Sequence, residues 1–402
     1  RYRHAIEKIA KQSSSTETEV ARSAIQLAQE TKAAHPNGNE RATHVGFYLI
    51  DRGLHELELK VHARFSVAET LMKMGSKYAL GVYLGLITML TLLFSISLMV
   101  ITRAQDIPAG FSLLIGILAL LPASHLALAL VNWLATLFVH PHPLPRMDFS
   151  TGIPVESRTL VVVPTMLTSP QNVDDLVEAM EVRFLANQDN NLYFSLLTDF
   201  RDAHEETLAE DEPLLHLIQV RIEALNTKYC TAEKSIFFLF HRPRRWNPQE
   251  LVWMGYERKR GKLADLNALL RDETCGNSLQ RFSRIVGDTT CLTNIKYVIT
   301  LDTDTQLPRD VAQQLVAAMA HPLNRPHYNE KQQRVCEGYG ILQPRVSVSL
   351  ESINRSRYAQ LQGGEVGIDP YTRAISDVYQ DVFGEGSFIG KGIYDVDMFE
   401  RA

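Results

Sequence analysis

Residues 78–102 carry no charged side chain, and neither do residues 111–139. A helix needs about 20 apolar residues to cross a bilayer, so each run is long enough to span one. A pair of buried core helices fits runs of this length less well. Pro122 falls inside the second run, where it would kink the helix, and a membrane helix tolerates such a kink better than a soluble one. Only residues 103–110 join the two runs, which predicts a hairpin. Arg64, Lys73 and Lys77 flank the first run, Arg146 and Arg158 follow the second, and Arg103 is the one basic residue of the link. The positive-inside rule then places both flanks in the cytoplasm. A cleaved signal is not expected, because the first run begins near residue 78 and is too long for a signal's apolar segment.

At 402 residues the chain has room for roughly two or three domains. A first residue of Arg rather than Met suggests a piece of a longer polypeptide. The formal charge of −5 argues against wholesale nucleic-acid binding. Cys230, Cys275, Cys291 and Cys336 show no C-x-x-C spacing. That speaks against a zinc site or a disulfide framework and fits a reducing cytosol.

Periodicity divides the chain in three. Residues 1–76 read as a mainly helical cytosolic lead-in, with Ile6, Ile9, Val20, Ala24, Leu27 and Ala28 at helical spacing and a polar turn at residues 35–39. Residues 77–140 hold the two spans and their short loop. A stiff exit, His140-Pro141-His142-Pro143-Leu144-Pro145, follows, and its two histidines do not by themselves make a metal site. Within residues 141–402 strands and helices alternate. Strands are expected at residues 160–165, 192–199, 235–240 and 297–301, and helices at 173–185, 214–226 and 262–271. That order indicates an α/β domain with a mostly parallel sheet, whose ligands should lie at the carboxyl ends of the strands.

The chemistry-bearing residues fall at those ends. In Tyr297-Val298-Ile299-Thr300-Leu301-Asp302-Thr303-Asp304-Thr305, strand alternation would turn Asp302 and Asp304 to one side, where they could share one hard cation that holds phosphates. Taken alone, the same two carboxylates could simply solvate the start of a loop. The first strand ends in Val163-Pro164-Thr165, whose proline should stop the ladder and open a loop for a nucleotide. Asp199 ends the second strand, placed either to accept hydrogen bonds from a base or ribose or to cap a following helix. In Arg258-Lys259-Arg260-Gly261-Lys262-Leu263-Ala264-Asp265-Leu266-Asn267, the leucines dock a helix on the sheet. Lys262 is then expected in its first turn, facing a diphosphate. The same basic block could instead bind an anionic leaflet, although such a patch needs no G-K-x-x-x-x-N pattern.

Residues 383–392 are neither a P-loop nor a Rossmann fingerprint, since the glycine spacing is one residue too long for either. They read as a tight glycine loop that a sugar could approach, with Gly384, Gly386, Ser387 and Lys391 as contacts, or as an ordinary turn. A rival reading also exists for the acidic strand. Asp302, Asp304 and Thr305 match the first motif of haloacid-dehalogenase-type phosphatases, but several strands precede this one, and Asp395-x-Asp397 is a poor second acidic cluster.

Taken in order, the V-P-T strand, the Asp199 strand end, the G-K block and the D-x-D strand resemble the nucleotide-sugar half of a GT-A glycosyltransferase. The stretches 245–250, 253–262, 297–305 and 384–395 go further and resemble the cyclic β-(1→2)-glucan synthases of Gram-negative bacteria, very large inner-membrane proteins. That resemblance implies inverting transfer of glucose from UDP-glucose to a β-glucan acceptor. It implies Mg²⁺ or Mn²⁺ on Asp302 and Asp304, uridine at Asp199, phosphates at Lys262, and the acceptor sugar at the Gly384 to Lys391 loop. Its partners would be the lipid bilayer and the remaining domains of a larger polypeptide. Related synthases carry their base and an R-W acceptor element after the glycine loop, so the base is expected beyond Ala402. Within the chain, Glu385 and Asp381 are the candidates. The alternatives are a synthase of another linkage or a catalytically silent nucleotide-sugar-binding module.

Overall fold

A computed structural model describes residues 1–34, 40–64, 78–105, 107–139, 143–229, 234–271, 281–344, 356–357, 382–383, 386, 388 and 390–401. The chain divides into two compact units, one made of residues 1–36, 45–143 and 345–387, the other of residues 37–44, 144–344 and 388–402. The polar turn at 35–39, the histidines of the stiff exit, Cys230 and Cys275 lie outside the described residues.

In the first unit, α1 (Tyr2–Lys11), α2 (Glu17–Ala34), α3 (Val45–Ile50) and α4 (Leu54–Lys60) surround a small core of Ile9, Val20, Ala24, Ala28, Tyr48, Leu49, Leu57 and Val61. Helix α2 begins at a capping box. Glu19 Oε2 accepts the Thr16 N–H at 2.8 Å and Thr16 Oγ1 accepts the Glu19 N–H at 3.3 Å. Helices α5 (Ala79–Ala104) and α6 (Ala109–Phe138) form the expected hairpin, with Pro122 inside α6. Both are long and apolar enough to cross a membrane. Polar contacts tie them together: Ser95 Oγ donates to the Gly116 carbonyl, and Tyr83 Oη to Asn132 Oδ1 at 2.6 Å.

The second unit is a layered α/β structure. Its strands β1 (Thr159–Leu167), β2 (Leu192–Phe200), β3 (Phe237–His241), β6 (Arg284–Val286), β7 (Tyr297–Thr300), β10 (Ile341–Leu342) and β11 (Gly392–Asp395) form one sheet in the order β10-β11-β7-β1-β2-β3-β6. The central four, β7, β1, β2 and β3, are parallel, and antiparallel strands close both edges. Two short hairpins, β4 (Arg245–Asn247) with β5 (Val252–Met254) and β8 (His327–Asn329) with β9 (Arg334–Glu337), stand outside it.

Alternation along the central strands builds a core on each face. Val161, Val163, Phe194, Leu196, Phe237, Leu239 and Ile299 pack under α7 (Pro170–Ala186), α8 (Asp211–Tyr229) and α10 (Val311–Ala320). Leu160, Val162, Tyr193, Leu197, Phe238, Phe240 and Val298 pack under α9 (Arg258–Arg271) and against α11 (Val396–Arg401). A strand buried on both faces is apolar at most positions, which is why these segments read as near-continuous apolar runs.

Pro164 does not end the ladder: β1 runs on to Leu167, with Pro164 opposite Leu197 of β2. The Val162 carbonyl accepts the Leu301 N–H at 3.0 Å, so β1 groups two residues on also turn toward β7. Pairing with β7 stops at Val162. The N–H that Pro164 lacks therefore has no ladder partner to lose.

Candidate functional site

The carboxyl ends of the parallel strands gather most of the described candidates. Asp199 lies near the end of β2, and its side chain is only 3% exposed. Lys262 Nζ stands 2.7 Å from Asp199 Oδ1, and Arg242 Nη2 stands 3.0 Å from Oδ2. Lys262 also donates to the Thr165 carbonyl on β1. Thr165, Asp199 and Lys262, read separately from the sequence, therefore meet at one place. Arg242, directly after β3, completes the cluster: its Nη1 is 2.9 Å from Asp265 Oδ2, and its Nη2 donates to the Tyr256 carbonyl at 2.9 Å. Burial lowers the pKa of the Lys262 ammonium, and the Asp199 carboxylate opposes that shift. Asp199 is thus paired with two bases where there is little water, and Asp265 bridges Arg242 to Arg281 at 3.0 Å; leaving a buried partner unpaired there would be costly.

Gly255 makes this closeness possible. A Cβ there would fall 1.9 Å from Asp199 Oδ2, a distance no side chain permits.

Lys262 was expected in the first turn of its helix. It stands in the second, because α9 begins at Arg258. Gly261 looks like a helix breaker in sequence but is accommodated inside α9, because a Cβ there would meet the Tyr256 carbonyl at 2.3 Å and Arg242 Nη1 at 3.0 Å. Just before and at the helix start, Glu257 and Arg258 have φ of 51° and 48°. Two successive left-handed residues without glycine store strain at this entry, and the Arg258 side chain is held there by Asp202 Oδ2 at 2.5 Å.

The acidic pair sits beyond β7, which ends at Thr300. Strand alternation therefore does not orient it. The Thr305 N–H donates to the Asp302 carbonyl at 3.1 Å, closing a turn across the two acids. Asp302 Oδ1 is 2.6 Å from Lys259 Nζ and Oδ2 is 3.2 Å from Lys391 Nζ. Partial burial alone would raise the Asp302 pKa, but the hydrogen bonds and charges of Lys259 and Lys391 outweigh it and hold the carboxyl below its ordinary value. Asp304 is exposed. Among the described residues no group of three His, Cys, Asp or Glu side chains could hold a metal ion. Two carboxylates still suit Mg²⁺ or Mn²⁺ if ligand phosphates complete the coordination, which is the usual arrangement for Mg²⁺ at nucleotides.

Gly386 is exposed and belongs to the first unit. Asp381, Gly384, Glu385 and Ser387 lie outside the described residues. Three contributors escaped the sequence reading: Arg242, Lys259 and Arg183. Arg183 had left a signal, for it shares the apolar face of α7 with Leu176, Met180 and Phe184 and is as buried as they are.

No family model matches the chain. The cyclic beta-(1,2)-glucan synthase NdvB of Rhizobium meliloti (strain 1021) is 40% identical over 403 residues, a match that takes in all of this chain and 14% of that protein. Over its whole length, then, the chain is related to a segment of a cyclic β-(1,2)-glucan synthase, as its motifs had indicated.

Proposed function

We propose that the chain is the glucosyltransferase segment of a cyclic β-(1→2)-glucan synthase. In this reading α5 and α6 anchor it in the bacterial inner membrane, the α/β unit faces the cytoplasm, and glucose passes with inversion from UDP-glucose to a growing β-glucan. The supporting observation is the meeting of Thr165, Asp199 and Lys262 at the ends of β1 and β2, one strand away from the β7 end that carries Asp302. Carboxyl ends of parallel strands are where α/β sheets bind nucleotides.

The Thr165, Asp199 and Lys262 cluster would take the uridine and adjoining phosphate, and Asp302 and Asp304 would hold Mg²⁺ or Mn²⁺. When bound, that ion supplies positive charge to the departing diphosphate. Lys259 and Lys391 stand at the same carboxylate and can add theirs. In the transfer an acceptor hydroxyl oxygen bonds to the anomeric carbon, the bond from that carbon to UDP breaks with its electrons, and the hydroxyl proton passes to a carboxylate base. Glu385 and Asp381 are the candidates for that base within the chain.

Calorimetry on detergent-solubilised protein tests the donor assignment. UDP-glucose with Mn²⁺ is expected to bind, and Asp302→Asn with Asp304→Asn to remove most of the affinity; an unchanged affinity overturns the cation assignment. Linkage analysis of the polymer made from UDP-glucose by the intact parent protein tests the product.

A further inference from the structure

Arg183 is 4% exposed, and among the described residues it forms no ion pair. Its Nη2 donates to the carbonyls of Thr303 and Thr305, both at 2.8 Å, and its Nε to Thr305 at 3.1 Å. Nη1 is buried and has no partner among the described residues. Burying a guanidinium without a direct ion pair is costly, so stability alone is a poor reason for an arginine here. Asn187, the residue that directly follows α7, donates from Nδ2 to the Leu307 carbonyl at 3.1 Å, and its Oδ1 accepts the Ala312 N–H at 3.0 Å. The last turn of α7 and the residue after it thus grip the segment after β7 at successive points, and the grip begins inside the acidic turn. The Thr303 carbonyl belongs to the peptide plane directly before Asp304. Fixing it limits how that carboxylate can point. The Asp304 charge in turn opposes the effect of burial on the guanidinium.

We infer that Arg183 is a positioning residue: through the Thr303 and Thr305 carbonyls it presets the turn that presents Asp302 and Asp304. The inference rests on the proposed assignment of this pair to a cation and a diphosphate.

The test uses the full chain in detergent, with Mn²⁺ and UDP as probe. Arg183→Gln is expected to weaken Mn²⁺·UDP binding at least tenfold and to speed amide hydrogen exchange within residues 302–307, with Arg183→Lys recovering part of both. The electron paramagnetic resonance spectrum of bound Mn²⁺ should change as well. A merely structural role lowers the unfolding midpoint yet leaves the affinity and spectrum of the folded protein as they were, and that result overturns the inference. If Arg183→Gln and Arg183→Lys do not fold, Asn187→Ala loosens the next hold on the same segment and should weaken binding in the same direction; wild-type affinity there overturns it too. The Asp302→Asn, Asp304→Asn double variant separates the two levels. If it binds Mn²⁺·UDP like the wild type, the cation assignment itself falls, whatever Arg183 does.

Discussion

Lys259 Nζ lies 2.6 Å from Asp302 Oδ1 and at the same time donates to the Gly390 carbonyl at 2.5 Å. One ammonium from α9 therefore joins the end of β7 to the segment leading into β11. With Lys391 on the other oxygen, Asp302 is already neutralised by two cations of the chain itself. In the proposed reading a divalent ion at Asp302 would have to compete with them, and the displaced lysines would become available to phosphate oxygens.

Lys259→Gln should accordingly have opposite effects on two measurements. Without nucleotide, Mn²⁺ is expected to bind several-fold more tightly, because a competitor for Asp302 is gone. With UDP-glucose present, donor affinity is expected to fall, because a phosphate partner is gone. Titration of Mn²⁺ by electron paramagnetic resonance and calorimetry of the donor read the two effects. Weaker Mn²⁺ binding without nucleotide would show that Lys259 supports the cation site rather than occupying it.

Gly255→Ala attacks the other half of the site. Its Cβ would fall 1.9 Å from Asp199 Oδ2, so the carboxylate must leave Arg242 or the backbone must move. Breaking a buried ion pair on one side costs about 3–5 kcal/mol. A loss of that size is expected in denaturant unfolding, together with weaker UDP binding. A variant as stable as the wild type would mean that the segment before α9 can shift freely.

The difference between these two halves explains what could be read in advance. The central strands are legible because each is buried on both faces and spells an apolar run, and their order with the helices indicates the parallel sheet. Thr165, Asp199 and Lys262 were each found from the strand or helix that carries them. Their mutual contact was not, since residues far apart in sequence meet only through the register of β1 on β2. The lysines on Asp302 come from positions 43 residues before and 89 residues after it, and no local pattern records such a pairing. Pro164 and Gly261 misled for a shared reason. Each is a breaker by local propensity, but Pro164 turns its nitrogen to a side where pairing has stopped, and at Gly261 any Cβ would strike the Tyr256 carbonyl.

His241, the last residue of β3, is fully buried, with Nδ1 2.8 Å from Thr198 Oγ1 and its ring 4.2 Å from that of Phe200. Burial pushes its pKa from 6.5 down to about 3; Asp211 opposes the shift, and Lys262, Arg244 and Arg284 add to it. Between these two values the unfolded chain binds a proton that the folded chain refuses. The stability of the α/β unit should therefore be steady above pH 6.5 and decline as pH falls from there toward 3, by up to about 1.4 kcal/mol per pH unit from this residue. Denaturant unfolding across that range should show the decline, and His241→Gln should flatten it. An equal slope in the variant would assign the acid sensitivity to other groups.

The hairpin of α5 and α6 offers a test of its surroundings. In their most apolar stretches only 6% of α5 and 22% of α6 is buried, so most of a very apolar surface faces outward. In water such a surface would drive aggregation. In lipid it is the favourable state, and contacts such as those of Ser95 and Tyr83 then hold the pair together. Leu92, 48% exposed and near the middle of α5, distinguishes the two environments. A surface Leu→Arg change in water is nearly neutral, whereas an arginine at the centre of a membrane helix costs about 2.5–3.5 kcal/mol on insertion scales. The wild-type chain is expected to stay with the membrane through alkaline carbonate extraction, and Leu92→Arg to reduce the inserted fraction. Release of the wild-type chain by carbonate would refute the anchor.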